Sequence, residues 1–484
     1  MSMMTLAQVH AMLPTSKLIN ISEEEAKSLR LSRVGTDSRQ IEVGELFIAL
    51  AGERFDAHEF LEQVANSGAG AALINNSEKC PANLPAVCVA NTRTGLGDLA
   101  KAWRSSHSIP LALVTGSNGK TTVKEMIASI FKAAAGEAHT LVTKGNLNNE
   151  IGLPLTLLKL RSTDRLAVVE LGMNHPGETA QLAAIAQANI ALINNAQREH
   201  QEFMATVAAV AQEHADVIHA LPHDGIAVFP ADSEFTSVWR AAAGSRQVID
   251  FALLLDQSTI NASVTGRVLH DGLEINTKVG SVVVQLNTLG NHNLRNALAA
   301  SAVALAANVS LEKIKLGLES FAPVNGRMQA KKIDDYCTII DDSYNANPDS
   351  VRAAIDALKQ SKNNAWLVLG DMGEVGNQGP EFHREVGAYA AEQGIARLFA
   401  VGELCQFAIE GFESAAKNGS TSQAIHFPDV ASLIVDLQDA FHKDLVASKQ
   451  HSNILIKGSR FMRDRKSTRL NSSHGYISYA VFCL

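Results

Sequence analysis

Leu111-Ala112-Leu113-Val114-Thr115-Gly116-Ser117-Asn118-Gly119-Lys120-Thr121-Thr122-Val123 is the stretch whose reading decides the fold. The apolar run 111–114 has the length of a buried strand. Downstream, Val123, Met126, Ile127, Ile130 and Phe131 recur at i, i+3, i+4, i+7 and i+8, one face of a helix. Strand, glycine loop, Lys-Thr and helix form the context of a phosphate-binding loop. Gly116 and Gly119 let backbone N–H groups turn toward phosphate oxygens, and the helix N-terminus adds its positive end. Lys120 can reach outer phosphates and the Thr121 hydroxyl can ligate Mg²⁺. The loop is two residues shorter than G-x-x-x-x-G-K-[ST], because Val occupies position 114. A glycine turn carrying a surface lysine is the alternative, and the flanking strand and helix oppose it.

Working outward, 484 residues suggest about three domains. The 46% hydrophobic and 19% charged content is that of a globular chain able to bury sizeable cores. A net charge of −8 gives no support for a general nucleic-acid-binding surface. Cys80, Cys88, Cys337, Cys405 and Cys483 are odd in number and scattered, without a C-x-x-C pair, which opposes a disulfide framework or zinc knuckle. They read as buried free thiols of a reducing compartment. The N-terminus lacks the pattern of a secretory signal, and the longest apolar stretch, near 298–309, reads as a packed alanine-rich helix too short to span a bilayer. A cytoplasmic protein without membrane insertion is expected.

The fold class expected is α/β in three domains. Residues 1–108 alternate strand-like and helix-like runs (46–50, then 71–74) and form a smaller α/β domain. Residues 109–322 carry strand candidates at 111–114, 166–171, 190–194 and 226–229 separated by helical patterns, which predicts a central, doubly wound, mostly parallel sheet. Alternation around His270-Asp271-Gly272 predicts a β-hairpin insertion within 260–286, and an Ala-rich helix over 292–307 closes the domain. Residues 323–465 form a Rossmann-like C-terminal domain, with strands near 338–340, 366–369, 398–401 and 454–456. In it Asn347-Pro348-Asp349 places a cap, a first-turn proline and an acid in helix-start order. The Ser/Asn/Arg-rich stretch 466–484 continues no α/β rhythm and is read as an appended, frameshift or assembly artefact outside the function.

Five constellations carry chemistry. Glu170 ends an apolar strand at the sheet edge where ligands bind, so it can share Mg²⁺ with Thr121. His200 follows the strand 190–194 at the same edge as a candidate ligand or base. Asn293 and Asn296 share a helix face and can read a base edge through paired donors and acceptors. Helix capping is the alternative for Asn291 or Asn293. Arg327, after Gly326 at the expected hinge, can clamp phosphate across a domain boundary. Asp342 and Tyr344, at the end of the first strand of the C-terminal domain, can hold a ribose and stack on a base.

These strings together resemble the Mur ligase family over nearly the whole chain, to about Arg463. The short loop Thr115–Thr122 matches, including its missing two residues. So do Gly145-Asn146-Leu147-Asn148-Asn149-Glu150-Ile151-Gly152, Glu170, Gly290-x-His292-Asn293-x-x-Asn296 and Gly326-Arg327. Thr36-Asp37-Ser38-Arg39, Gly52-Glu53-Arg54-Phe55-Asp56, Leu369–Glu374 and Ile456–Arg460 point the same way. Asp341-Asp342-Ser343-Tyr344-Asn345-Ala346-Asn347-Pro348 resembles the string of the member that adds D-alanyl-D-alanine.

The resemblance implies ATP-dependent joining of UDP-N-acetylmuramoyl-tripeptide to D-alanyl-D-alanine through an acyl phosphate, in peptidoglycan precursor synthesis. ATP and Mg²⁺ are the implied cofactors. Lys120, Glu170 and His200 are the implied catalytic residues, with Thr121, Glu170 and His200 on the metal. ATP contacts are implied for Gly116, Ser117, Asn118, Gly119, Lys120, Thr121, Thr122, Asn293, Asn296, Arg327, Asp342 and Tyr344. Substrate contacts are implied for Ser38, Arg39, Asn146, Asn148, Asn149, Asn345, Asn347 and Lys457. Residues 1–108 would take the UDP-sugar, 109–322 ATP, and 323–465 the dipeptide and part of the nucleotide. A monomer is the working expectation.

One position departs from the family. Many members carry a carbamylated lysine in the helix after the His200 motif, where it helps hold a second Mg²⁺. That place falls on His214, which cannot form a carbamate. Glu213, His214 or water substitutes, or the second metal binds differently, and bicarbonate dependence is expected to be weak. Two other readings stand beside the ligase. One is a sister ligase for another amino acid or for folate, opposed by the 341–348 string. The other is an ATP-binding scaffold that has lost catalysis, motivated by His214 and opposed by Lys120, Thr121, Glu170 and His200.

Overall fold

The computed structural model describes residues 2–52, 55–199, 202–204, 206–255, 259–333, 336–360, 364–416, 422–441, 443 and 451–459. Glu53, Arg54, His200, Arg460, Cys483 and the 466–484 stretch lie outside the described residues.

The central sheet has six strands in the order Gln247–Val248, Ile226–Val228, Ile190–Ile193, Leu111–Thr115, Leu166–Glu170, Thr140–Val142, every pair parallel. The period-2 alternation of its apolar strands sends side chains to two different cores. Ala112, Val114, Val168, Ile190 and Leu192 pack with the phosphate-loop helix Lys120–Ala135 and the helix Asn291–Ala306. Leu113, Ala167, Val169, Ala191 and Ile193 pack on the other face, against helices including Thr92–Ser105 and Val207–His219. Leu111–Thr115 comes first in the chain yet sits between neighbours reached in opposite directions, so the loops leaving its C-terminal end and those of its neighbours diverge and open a crevice.

The N-terminal sheet has five strands, of which Lys17–Ile19 alone runs antiparallel to its neighbour. Its face shares a core with the central sheet through the helix Thr92–Ser105, whose Trp103 Nε1 donates to Leu160 O at 3.2 Å. The C-terminal sheet has six strands, with Gln329–Lys332 antiparallel to Cys337–Asp342 and the rest parallel. Asp342 therefore ends the second strand of this sheet, not the first; the short strand Gln329–Lys332, which ends in two adjacent lysines, carries no apolar run by which to read it. The hairpin Val264–Leu269/Gly272–Thr277 turns where expected, but inside a four-stranded sheet with Phe251–Leu254 and Gly280–Val284.

The Ala-rich helix does not close the central unit. A further helix, Leu311–Ser320, follows and packs on Lys120–Ala135 so closely that a Cβ at Gly317 would stand 2.3 Å from Ile130 Cα. Of the cysteines, Cys337 and Cys405 are buried, while Cys80 and Cys88 are only half-buried. No helix among the described residues is long and apolar enough to cross a membrane.

Candidate active site

The phosphate loop leaves the strand Leu111–Thr115 at its buried end and enters the helix at Lys120, with Gly119 as N-cap at φ +78°. Glycine is required there twice over. The left-handed conformation disfavours a side chain, and a Cβ would meet Asn194 Nδ2 and Asn296 Oδ1, each at 2.8 Å. The loop is gripped by the segment after the neighbouring strand Ile190–Ile193. Asn194 Nδ2 donates to Asn118 O at 2.8 Å and to Asn296 Oδ1 at 2.9 Å, and Asn195 Nδ2 donates to Asn118 O at 2.9 Å. Asn118 N donates to Asn195 Oδ1 at 2.8 Å, and Gln197 N to Ser117 Oγ at 2.8 Å. Side-chain amides suit this task because each offers donors and an acceptor in one plane.

Lys120 Nζ lies 2.5 Å from Gly116 O and 3.2 Å from both Ser117 O and Glu199 Oε2. Thr121 Oγ1 donates to Glu170 Oε1 at 3.2 Å, an approach set by the parallel register that pairs Glu170 with Val114. Asn148 Nδ2 donates to the same oxygen at 2.8 Å, and Thr143 Oγ1 accepts from Glu170 N at 3.0 Å. Glu170 is 2% exposed, and its Oε2 is buried without a hydrogen-bond partner among the described residues. A buried carboxylate oxygen with no donor, next to a threonine hydroxyl, is an oxygen donor set that fits Mg²⁺.

These groups open into a cavity of about 430 Å³ whose other wall comes from the C-terminal sheet. Arg327 Nη2 donates to Thr121 Oγ1 at 2.9 Å, and its guanidinium lies over the Tyr344 ring, 4.0 Å from the centroid. Asn347 Nδ2 donates to Asn118 Oδ1 at 2.9 Å. Lys457 is buried and pairs with Asp342 Oδ2 at 2.5 Å while donating to Asn345 O at 3.0 Å, so it holds the 342–345 turn. In the cavity lining, Arg198 crosses from the segment after the strand Ile190–Ile193 to the helices Pro348–Gln360 and Gly379–Glu392. It donates to Asp349 from Nη2 at 2.6 Å and to Glu385 from Nη1 at 2.7 Å. Those hydrogen bonds raise the Arg198 pKa above its ordinary value, and the Arg198 guanidinium in turn holds the Glu385 carboxyl below the usual range. Desolvation lowers the pKa of His292, which also lines the cavity.

The structure brings Ser117, Asn118, Gly119, Lys120, Thr121, Thr122, Asn148 and Glu170 to this cavity from the central sheet. Asn293, Asn296, Arg327, Asp342, Tyr344, Asn345, Asn347 and Lys457 join them. Ser38, Arg39, Gly116, Asn146 and Asn149 do not line it. Arg39 is turned to Asp37, with which it makes two hydrogen bonds of 2.8 and 2.9 Å. Asn149 Oδ1 caps the next helix by accepting from Gly152 N at 2.9 Å. The capping alternative for Asn291 or Asn293 fails. Gly290 holds the N-cap position without a side-chain bond, and Asn293 Nδ2 reaches Thr288 Oγ1 at 2.9 Å instead. Glu213 is not a substitute ligand, because its oxygens accept the N–H groups of Gly177 at 2.9 Å and Thr179 at 3.1 Å. Asn194, Asn195, Gln197, Arg198 and Glu199 are site residues that the sequence reading did not single out. Their one signal was the amide-rich run directly after a strand at the ligand edge.

A second polar cluster, Asp371, His383 and Cys405, brings its ligand atoms within 4.8 Å of one another. Its groups are committed inward. Asp371 Oδ1 accepts from Leu404 N and Cys405 N at 3.1 and 2.9 Å, and His383 Nε2 accepts from Met372 N at 3.0 Å. Burial pushes the Cys405 thiol well above its usual range and lowers the His383 pKa. This is a structural knot under the C-terminal sheet.

Residues 114–304 match the Mur ligase middle domain and residues 326–460 the Mur ligase glutamate ligase domain. The UDP-N-acetylmuramoyl-tripeptide--D-alanyl-D-alanine ligase of Escherichia coli strain K12 is 38% identical over 443 residues, covering 90% of this chain and 93% of that protein. The Bacillus subtilis strain 168 protein of the same name is 32% identical over 434 residues, covering 89% of this chain and 91% of that protein. Among solved structures, MurF from Acinetobacter baumannii superposes with a TM-score of 0.83 at 33% identity, over 96% of this chain and 98% of that one. The MurF ligase from Thermotoga maritima in complex with ADP shares the fold, with a TM-score of 0.74 at 24% identity over 90% of this chain and 95% of that one.

Proposed function

The chain belongs to the Mur ligase family, and from that premise we propose that it joins D-alanyl-D-alanine to UDP-N-acetylmuramoyl-tripeptide with hydrolysis of ATP to ADP and phosphate. It is a peptide ligase of peptidoglycan synthesis. The observation that carries the reading is the meeting of the phosphate loop with the 341–348 segment across one cavity, where Asn118 and Asn347 bond at 2.9 Å.

In this reading the tripeptide's terminal carboxylate attacks the γ-phosphate and forms an acyl phosphate. The dipeptide amine then attacks the acyl carbon through a tetrahedral intermediate, and phosphate leaves. Lys120 leaves its loop carbonyls to neutralise charge on the transferring phosphoryl group. Thr121 and Glu170 hold Mg²⁺, which supplies charge neutralisation at the phosphates when bound. Arg327 takes phosphate from the far wall, Tyr344 offers its ring to the base, and Asp342, fixed by Lys457, accepts from the ribose. The Arg198 and Asn118 contacts hold the two walls together, which keeps water from the acyl phosphate. We assign residues 1–108 to the UDP-sugar, 109–322 to ATP and 323–465 to the dipeptide, and propose a cytoplasmic monomer.

Phosphate release from ATP tests this. Release that needs both UDP-muramoyl-tripeptide and D-Ala-D-Ala, and disappears in Lys120→Ala, is the expected result. Release with another amino acid in place of the dipeptide would make it a sister ligase. No release with any pairing would make it a nucleotide-binding scaffold.

A further inference from the structure

The helix Lys120–Ala135 buries a lysine that the mechanism does not use. Lys124 has a fully buried side chain and stands outside the cavity lining, one turn after Lys120. Its Nζ donates to Thr143 O at 2.9 Å and to Glu125 Oε1. Taking an ammonium out of water costs several kcal/mol unless its partners offset the loss. The pair with Glu125 does not ask for that depth, because the Glu125 side chain is itself 34% exposed. The partner that lies deep is Thr143, 1% exposed.

Thr143 follows the strand Thr140–Val142 and makes two further bonds. Its N–H donates to Val168 O at 3.2 Å, which carries the parallel pairing one residue past the strand. Its Oγ1 accepts from Glu170 N at 3.0 Å. The bond from Lys124 to the Thr143 carbonyl therefore reaches Glu170 through a single residue. The same helix supplies Thr121, whose hydroxyl meets Glu170 Oε1 at 3.2 Å on the cavity side. One helix thus fixes this carboxylate twice, by a hydroxyl on its side chain and by an ammonium on the residue that holds its backbone. A charged donor makes the stronger hold, since its hydrogen bonds are roughly twice as strong as neutral ones.

We propose that Lys124 is a positioning residue: by holding the Thr143 carbonyl it sets the place of Glu170 relative to Thr121 and Lys120. The inference rests on the reading above in which Thr121 and Glu170 hold Mg²⁺. Loss of the ammonium loosens the backbone of the carboxylate and raises the Mg²⁺ requirement, while the affinity for D-alanyl-D-alanine stays as it was.

Two measurements on the full chain test it with Lys124→Met, which keeps the apolar stem and removes the charge. The first is residue-resolved amide hydrogen exchange, which needs no activity. Exchange at Glu170 is expected to quicken by about tenfold, with the interior strand amides 167–169 keeping their wild-type rates. The second is the Mg²⁺ concentration for half-maximal phosphate release, expected to rise on the order of 10- to 100-fold with the KM for D-alanyl-D-alanine unchanged. Thr143→Val removes the next link, and adding Lys124→Met to it is expected to leave the Mg²⁺ requirement where Thr143→Val put it. Unchanged exchange at Glu170 overturns the proposal, and so do additive effects of the two substitutions. A lowered melting temperature with a wild-type Mg²⁺ requirement makes Lys124 a stability residue and also overturns it. Should Lys124→Met not fold, Lys124→Gln, whose amide stops short of the Thr143 carbonyl, takes its place under the same outcomes. Wild-type release that is absent or indifferent to Mg²⁺ sinks the reading beneath the inference, and exchange at Glu170 then decides the positioning role alone.

Discussion

Arg327 donates from Nη2 to Thr121 Oγ1 at 2.9 Å, across 206 positions of sequence and between two sheets. The same hydroxyl donates to Glu170 at 3.2 Å, so one threonine links the buried carboxylate of the central sheet to the guanidinium of the opposite wall. Tyr344 holds that guanidinium from its other side, 4.0 Å from the ring centroid. Arginine suits the place because its flat cation stacks and donates at once, which an ammonium cannot do.

The first prediction follows from that pairing. Arg327→Lys keeps the charge but loses the stacked, forked geometry, so kcat/KM for ATP is expected to fall on the order of 10- to 100-fold. A double-mutant cycle of Arg327→Ala with Thr121→Val is expected to show a coupling of about 1–2 kcal/mol. Additive losses in steady-state kinetics would show that the hydrogen bond contributes nothing to the working enzyme.

Lys120→Ala removes the ammonium without disturbing the core, since the residue begins its helix at the surface of the cavity. Phosphate release with both substrates is expected to drop by a factor on the order of 10² to 10³, the range for losing one preorganised charge at a reacting group. The melting temperature should stay close to wild type. Retained turnover would remove Lys120 from the chemistry.

How much of this was legible beforehand differs by residue. The phosphate loop and Glu170 were readable because each ends a continuous apolar run, and parallel strands deliver such ends to one edge. The grip of Asn194, Asn195 and Gln197 was not readable. Those bonds span 76–80 positions, and an isolated amide has no periodicity to betray it. Arg198 was hidden for a related reason, because both its acids lie on helices of the C-terminal part of the chain, 151 and 187 positions away. Arg39 looked like a substrate contact by resemblance, yet its nearest partner in space is Asp37, two residues away. The helix Leu311–Ser320 went unread because its hydrophobic face is short and interrupted by Lys313 and Lys315.

The Arg198 bridge predicts salt-sensitive closure. Arg198 touches Asp349 and Glu385, while Arg352 shares Glu385 at 2.8 Å and the Phe382 ring covers the guanidinium at 5.2 Å. Charge-assisted bonds in such partly buried positions contribute about 2 kcal/mol, so Arg198→Ala is expected to shift the closed-to-open ratio by roughly 30-fold. Small-angle scattering would report a larger radius of gyration for the variant, and wild type would approach it at high salt. Because the Arg198 guanidinium depresses the Glu385 pKa, this contribution is complete above the ordinary carboxylate range and fades as pH falls below it. Identical scattering curves for the two proteins would remove the bridge as a determinant of closure.

His383 gives the last prediction, one of stability. Its ring is fully buried, with Nδ1 donating to Gly379 O at 2.7 Å and Nε2 accepting from Met372 N at 3.0 Å. A ring that accepts at Nε2 must be neutral there, and burial lowers its pKa accordingly. The folded chain thus binds a proton less readily than the unfolded chain, whose histidine titrates near 6.5. The stabilising contribution is whole above about 6.5 and is lost as pH falls toward the lowered folded value. The melting temperature of the full chain is expected to drop between pH 7.5 and 5.5, with part of that drop absent in His383→Gln, whose amide can make both bonds and does not titrate. The same pH dependence in variant and wild type would mean that other groups, not His383, set the acid limit of the C-terminal sheet.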